Sequence, residues 1–431
     1  MKFDIAVIGG GPAGYSAAFE AIRYKLSVVL FESGEIGGTC LNRGCVPTKY
    51  LLHTARRYFE AGRDQGIIFD ALKLDYTNTV KSMNDMISSL RSGLADRLER
   101  SGVKLVKGNA SLRSAGLIEC GGEEYEAGHV IIASGTVPAS PVVSNALNSD
   151  EILRLDHIPE KLHIIGGGSV ACEFAWIYRM LGSEVELSLR GNRILRGWDR
   201  EIAVSLTQSM KKAGIKINTD CDLSTFSADK DTPVLSAAGR KCVLPVTDGS
   251  LLDLDQDGAI VTGPDCETKI SGIYAAGDVM SGSEKLAHIA MAQGKRAVRS
   301  AAGIKDNASP CVIRCIYTDQ EIASAGLTEE EAMQKGIDAK TGKQSMFSNA
   351  RNLISTDERG FVKIIADGSS RRIIGAQLMC EHAGEIIPVL ALAIDQRLSV
   401  DQMLDTVFPH PSCSETVTDA LQALKDKLDA V

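Results

Sequence analysis

The chain is 431 residues long, 44% apolar, and carries a net charge of -8 with no long single-sign run. The length suits about two to four domains of ordinary globular composition, and the charge argues against nucleic acid as a partner, which a basic patch would announce. No apolar run approaches the roughly 18 residues of a membrane span, and Met1-Lys2-Phe3 leads straight into a strand-like run without the regions of a signal peptide, so a cytoplasmic location with no membrane partner is expected.

The first element is a strand over residues 4–8, followed by Gly9-Gly10-Gly11-Pro12-Ala13-Gly14 and a helical run to Tyr24. A second strand over 27–31 ends at Glu32. Strand, glycine turn, helix and strand together form a unit that holds a pyrophosphate at the helix N-terminus, where free N–H groups and the helix dipole favour negative charge. Gly9 makes the turn, Gly11 lets the phosphates approach the backbone, and Gly14 lets the helix pack on the strand.

Shortly after this unit comes Gly37-Gly38-Thr39-Cys40-Leu41-Asn42-Arg43-Gly44-Cys45-Val46-Pro47-Thr48-Lys49. On a regular helix, residues five apart rise about 7.5 Å, beyond the rough 7 Å limit for bridging two Cα atoms. A bond between Cys40 and Cys45 therefore requires a distorted backbone, which Gly44 permits, and strained disulfides are the easily reduced, catalytic kind. Spacing alone leaves a second reading open, two thiols packed on the first turns of a helix.

The glycine-turn pattern recurs. A strand over 162–165 leads into Gly166-Gly167-Gly168-Ser169-Val170-Ala171, a helical run to Leu181 and a strand over 185–189. One such fingerprint is weak, but two in the same context point to two dinucleotide sites. Leu189 stands where the first copy has Glu32, and Arg190 and Arg196 follow it. A carboxylate at this place accepts from a ribose hydroxyl, whereas arginines suit a ribose phosphate, so the second site is expected to prefer NADP(H) over NAD(H).

Residues 273–278 read as a strand ending in Asp278, and 285–302 as a helix. Beyond them, strands are expected over 310–317, 361–366 and 373–380, a turn at Asp367-Gly368-Ser369-Ser370, and helices over 384–396 and from Ser414 onward. The fold class is therefore α/β, two Rossmann-like dinucleotide-binding domains plus a C-terminal α+β module. Most of the 11 cysteines are scattered singly. Cys311 and Cys315 lack the further ligands of a tetrahedral set, so no metal is expected.

These motifs give the chain a family likeness. Gly9-x-Gly11-x-x-Gly14, Gly38-Thr39-Cys40-x4-Cys45, Ala276-Gly277-Asp278 and His410-Pro411-Ser412-Cys413-Ser414-Glu415 resemble, over nearly the whole length, the class I pyridine nucleotide–disulfide oxidoreductases, most closely the dihydrolipoamide dehydrogenases. The resemblance implies an FAD-binding domain at 1–146, an NAD(P)-binding domain at 147–266, a return segment of the flavin domain at 267–305 and a dimerisation domain at 306–431. It places FAD on the first glycine turn, with Glu32 on the adenosine ribose, Asp278 near the ribityl chain, and Thr39, Ala110, Gly135 and Ala287 among the contacts. It sets Lys49 beside the flavin's reactive edge, paired with Glu173, and gives the second nucleotide site Gly166, Gly168, Ala171, Gly239, Arg190 and Arg196.

By the same resemblance Cys40 and Cys45 form the redox-active disulfide, with Cys45 next to the flavin and Cys40 exchanging with substrate. His410, steered by Glu415, reaches them from the partner subunit of a homodimer. Histidine titrates in the range needed to move a thiol proton. The expected substrate is a small disulfide such as lipoamide, free or on a lipoyl-bearing protein. Three features depart from the pattern: the short run 221–236 in the second nucleotide domain, the arginine pair with Ala171 as in glutathione and trypanothione reductases, and Ser169 where glutathione reductases have a tyrosine lid. They keep a second expectation in view, an NADPH-dependent reductase of glutathione-type disulfides.

Overall fold

A computed structural model describes residues 1–63, 66, 70–141, 143–223, 226, 232–245, 251–304, 310–355 and 360–430. The chain opens with β1 (Lys2–Ile8), α1 (Pro12–Arg23), β2 (Val28–Glu32), α2 (Gly38–Arg43), α3 (Cys45–Ala61) and α4 (Tyr76–Arg100). It continues through β3 (Lys104–Lys107), β4 (Ala110–Ser114), β5 (Leu117–Cys120), β6 (Glu123–Ile132) and β7 (Thr136–Pro138). The second copy supplies β8 (Lys161–Ile165), α5 (Ser169–Met180), β9 (Glu184–Ser188), α6 (Arg200–Lys212), β10 (Lys216–Asn218) and β11 (Val234–Ser236). After it come β12 (Arg240–Cys242), β13 (Ile273–Ala275) and α7 (Ala287–Ala301). The last part comprises β14 (Ile313–Tyr317), β15 (Glu321–Gly326), α8 (Glu329–Gln334), β16 (Ala339–Ser345), α9 (Ala350–Ser355), β17 (Phe361–Asp367) and β18 (Ile373–Met379). Three helices close the chain, α10 (Ala383–Asp395), α11 (Val400–Leu404) and α12 (Thr416–Asp429).

The chain divides into two units. The first unit comprises Met1–Leu51, Lys73–His157 and Ala238–Ala308. Its sheet runs β3-β2-β1-β6-β5-β4, with β13 beside β6. β3, β2, β1, β6 and β13 are parallel neighbours, while β5 pairs antiparallel with β6 and β4. Ile5, Ala6, Val7 and Ile8 are all buried, the unbroken apolar run of a parallel strand covered on both faces. α1 and α7 lie in one core with Ile5, Val7, Leu30 and Ile131.

The second unit comprises Leu52–Leu72, Ile158–Ala237 and Ser309–Val431. It holds a parallel sheet, β10-β9-β8-β11, and an antiparallel sheet, β14-β15-β18-β17-β16. The order β3-β2-β1 of the first unit is repeated as β10-β9-β8, so the duplicated glycine pattern is a duplicated topology. α10 and α12 pack in one core with Val362, Ile364, Ala376 and Leu378 of the antiparallel sheet.

Residues 238–266, expected in the second nucleotide domain, group by contact with the first unit. There β12 pairs with β7, and Leu252 and Ile260 join the core under β1, β2 and β6. The expected boundary at 305–306, and residues 224–225 and 227–231 of the short run, lie outside the described residues. β15, β16, α8, α9 and α11 were not anticipated. β15 is Glu-Ile-Ala-Ser-Ala-Gly and β16 is mostly polar, so neither has strand-like composition. Among the described residues no helix is long and apolar enough to cross a membrane, and no group of three or more His, Cys, Asp or Glu is placed to hold a metal ion.

Candidate functional site

The first glycine turn is built for close approach. Gly9 has φ +109° and a Cβ there would lie 2.3 Å from Ala133 O; a Cβ on Gly14 would lie 1.8 Å from Gly9 O. Only glycine fits either place. Gly11 is the N-cap of α1 and makes no side-chain cap, which leaves the first-turn N–H groups for an anion. Glu32, at the end of β2, accepts Gly10 N at 2.7 Å and Gly34 N at 2.7 Å. It thereby sits against the turn with lone pairs left for a hydroxyl. Asp278 accepts Thr136 Oγ1 at 3.0 Å, and Gly277 N donates to Gln293 of α7 at 2.9 Å. Ala110 starts β4, Ala287 starts α7, and Gly135 has φ +66° with nothing within 4 Å of a Cβ there. An uncapped helix end, a flanking carboxylate and glycine-only contacts fit an adenine dinucleotide.

Cys40 lies in α2 and Cys45 opens α3. The helix breaks between them at Gly44, where a Cβ would lie 2.9 Å from Thr39 O and 3.3 Å from Cys40 Cα. The break is the distortion that the five-residue spacing demands. The hydrogen bond with the Cys45 side chain, then burial, push the Cys40 thiol well above the ordinary thiol range, while the Lys49 ammonium pulls the other way. Lys49 is one turn beyond Cys45 on α3. Cys40 therefore keeps its proton and needs a base before it can attack. Tyr15 of α1 is pushed up to about 12, by burial and by the charges of Cys40 and Cys45.

One residue of this unit escaped sequence reasoning. Arg240 Nε donates to Thr136 Oγ1 at 2.8 Å, and its Nη2 to Thr136 O at 2.9 Å and Thr39 Oγ1 at 3.4 Å. It thus brings a partly buried positive charge to Thr39, beside the first cysteine. Gly239 stands next to it in the chain, but nothing in the sequence pairs Arg240 with Thr136 and Thr39, 104 and 201 positions away. Arg43 and Asp150 form an ion pair at 3.1 Å.

The second glycine turn repeats the first with one change. A Cβ on Gly166, φ +136°, would lie 2.7 Å from Ala237 O, and Gly168 is the uncapped N-cap of α5. Leu189 is buried, and its Cδ1 would lie 2.8 Å from a Cβ on Gly167. An apolar side chain thus covers the turn where Glu32 bonds it in the first copy. Arg190 and Arg196 are exposed on the loop between β9 and α6. Ala171 is fully buried on α5. Gly239, φ +121°, follows β11 in the chain. Glu173 is buried on α5, and its Oε1 accepts Tyr317 N at 3.0 Å.

His410 and Glu415 meet in the second unit. His410 Nδ1 lies 2.8 Å from Glu415 Oε2, with the imidazole 77% exposed and the carboxylate 24%. The His410–Pro411 peptide is cis. Asn349, which the sequence did not mark, is buried against this segment. Its Nδ2 donates to Ser412 O at 2.9 Å and Thr416 Oγ1 at 3.0 Å, and lies 3.5 Å from Glu415 Oε1. Cys413 is buried in the core.

Residues 3–294 match the family model described as pyridine nucleotide-disulphide oxidoreductase, and 312–421 match its dimerisation domain. Dihydrolipoyl dehydrogenase from Thermus scotoductus is 33% identical, over 98% of this chain and 97% of that protein. Dihydrolipoyl dehydrogenase 2 from Haloarcula marismortui is 31% identical, over 98% and 96%. Among solved structures, LpdA from Mycobacterium tuberculosis superposes with a TM-score of 0.88 at 24% identity, covering 97% of this chain and 99% of that one. The HOCl-induced flavoprotein disulfide reductase RclA from Escherichia coli does so with 0.87 at 23% identity, covering 97% and 99%. These two likenesses are of fold.

Proposed function

The chain belongs to the pyridine nucleotide-disulphide oxidoreductase family, and from that membership we propose that it exchanges two electrons between NADP(H) and a small disulfide such as lipoamide through Cys40 and Cys45. It is a dihydrolipoyl dehydrogenase-like flavoprotein enzyme acting on sulfur groups. The observation that carries the proposal is the thiol contact across the break at Gly44, in the unit that holds the first glycine turn.

The flavin sits in this reading on Gly9, Gly11, Gly14, Glu32, Thr39, Ala110, Gly135, Asp278 and Ala287, in the domain formed by 1–146 and 267–305, with Arg240 adding positive charge. When bound, FAD supplies the two-electron link between nicotinamide and thiols. The nucleotide occupies Gly166, Gly168 and Ala171 on the second glycine turn, with Arg190 and Arg196 on its ribose phosphate. Lys49, one turn beyond Cys45 on α3, serves the reactive end of the flavin site.

In the reductive direction NADPH gives up a hydride and the Cys40–Cys45 disulfide is opened to two thiols. Cys40, deprotonated by His410, attacks one sulfur of the substrate disulfide. A mixed disulfide forms, and the departing thiolate takes the proton back from His410. Cys45 then attacks the Cys40 sulfur of the mixed disulfide, its thiol proton passing to the second substrate thiolate as it leaves, and the Cys40–Cys45 bond is restored. NADPH, one proton and a disulfide thus become NADP and two thiols, and dithiol oxidation is the reverse. Glu415 holds the imidazole in the tautomer that leaves Nε2 for the proton. The dimerisation domain at 306–431 makes the active species a homodimer in which His410 serves the partner's thiols. A cytoplasmic, reducing setting suits a pair that must be reopened each cycle.

The test is a panel of oxidised lipoamide and glutathione disulfide against NADPH and NADH. Turnover of lipoamide with NADPH, lost in Cys40→Ser, is expected. Turnover of glutathione disulfide alone would shift the reading to the glutathione-type reductases, which Leu189 and the arginine loop also suit. Retained turnover in Cys40→Ser would defeat both.

A further inference from the structure

The antiparallel sheet of the second unit carries an unbroken polar row. Arg314 pairs with Ser324, Ser324 with Gln377, Gln377 with Lys363, and Lys363 with Lys343. Residues directly opposite on neighbouring strands share a face, so one line of polar side chains crosses all five strands. Lys343 and Lys363 stand side by side, an arrangement that repels unless acids are brought to it.

The acids come from the start of α6. Lys363 Nζ donates to Asp199 Oδ2 at 2.7 Å, with the two side chains 6% and 4% exposed, and lies 3.4 Å from Glu201 Oε2. Lys343 pairs with the other oxygen of Glu201. Asp199 is also the N-cap of α6, its Oδ1 accepting Glu201 N at 2.9 Å and Ile202 N at 3.3 Å. At the end of the row, Arg314 Nη1 donates to Gly197 O at 3.3 Å.

What is pinned here is the exit of the loop that carries Arg190 and Arg196. Its middle is tied to the second glycine turn, where Leu195 N donates to Gly167 O at 2.6 Å. Arg196 therefore stands between two anchors, one on the nucleotide turn and one on the sheet. We propose that Lys363 is a positioning residue for the pyridine nucleotide, acting through Asp199 to hold the Arg190–Arg196 loop in its binding position. The proposal rests on the reading of this loop as the nucleotide's phosphate site. Burial gives the contact its strength, because a carboxylate buried without its ammonium moves toward water or takes up a proton. Either response frees the loop's exit.

Lys363→Met and the double variant Asp199→Asn, Lys363→Met test this in the full-length flavoprotein. The double variant keeps a capping oxygen and leaves no buried charge unpaired, so it folds if the single variant does not. KM for the nucleotide is expected to rise on the order of ten-fold in either, with kcat at saturation within about two-fold of wild type. Lys363→Arg, which keeps the charge, is expected to recover most of the affinity. A lower melting temperature with KM for both NADPH and NADH unchanged would mean a purely structural pair and would overturn the proposal. A wild-type preference for NADH would instead sink the phosphate reading, and the rise would then be sought in KM for NADH.

Discussion

His410 donates its Nδ1–H to Glu415 Oε2 across 2.8 Å, and Asn349 braces the backbone and the side chain on the carboxylate's side. That bond selects the tautomer with Nε2 as acceptor, the form a proton shuttle requires. In the proposed homodimer this histidine, 77% exposed in the single chain, serves the second subunit. His410→Gln is expected to slow disulfide turnover by about 10²- to 10⁴-fold, the usual worth of a positioned acid–base group. Stopped-flow traces of reductive and oxidative halves would check this, with the loss falling in the thiol-exchange half. An equal loss in flavin reduction by nucleotide would count against the assignment.

Cys40 makes a pH prediction. Its thiol is raised by the hydrogen bond with Cys45 and by burial, and lowered by Lys49. A raised thiol is less ionised at any given pH, so alkylation of Cys40 in the reduced protein should climb with pH beyond the point where a free cysteine levels off. Lys49→Met removes a favourable charge and should move the climb to still higher pH. Mass-spectrometric mapping of iodoacetamide adducts across pH would measure both profiles. A Lys49→Met profile displaced downward would contradict the electrostatics.

Much of this was legible from residue order because local chemistry carried it. Both glycine turns, the strand ending at Glu32 and the thiol pair are contiguous motifs whose constraints act within a few residues, as the close contacts at Gly9, Gly14 and Gly44 show. Asn349 and Arg240 were not legible. Each is an ordinary polar residue whose meaning comes from partners 63 to 67 positions away, in the case of Asn349, or 104 to 201 away, for Arg240. The row from Arg314 to Lys343 was hidden for the same reason, since strand register decides which polar residues stand in line. β15 and β16 were missed because small and polar residues form them, held by neighbours rather than by propensity.

The second glycine turn should discriminate between nucleotides. Leu189 covers Gly167, and the exposed Arg190 and Arg196 follow on the same loop. NADPH is therefore expected to give the higher kcat/KM. Arg190→Ala with Arg196→Ala should lower kcat/KM for NADPH by about ten-fold or more while changing NADH little, since only NADPH carries the phosphate those charges would meet. Steady-state kinetics with both nucleotides would show it. Equal losses for the two would point to a general effect on the loop.

Two glycines should respond to alanine in opposite directions. Gly294 lies in α7 where that helix crosses α1, and a Cβ there would fall 2.1 Å from Ala13 O and 2.9 Å from Ala13 C. Backbone cannot step aside as a side-chain tip can, so Gly294→Ala must push the two helices apart, at a cost of about 1–3 kcal/mol. Ala13 belongs to the first turn of α1, beside Gly14, so the displacement also reaches the glycine turn proposed for the flavin, and flavin should be released at lower denaturant. Gly93, inside α4, has nothing within 4 Å of a Cβ. Gly93→Ala lifts only the entropic penalty of a helical glycine and should stabilise by roughly 0.5–1 kcal/mol. Thermal melts followed by circular dichroism and by flavin fluorescence separate the two effects. A Gly294→Ala protein as stable as wild type would mean that α1 and α7 do not cross as closely as these contacts require.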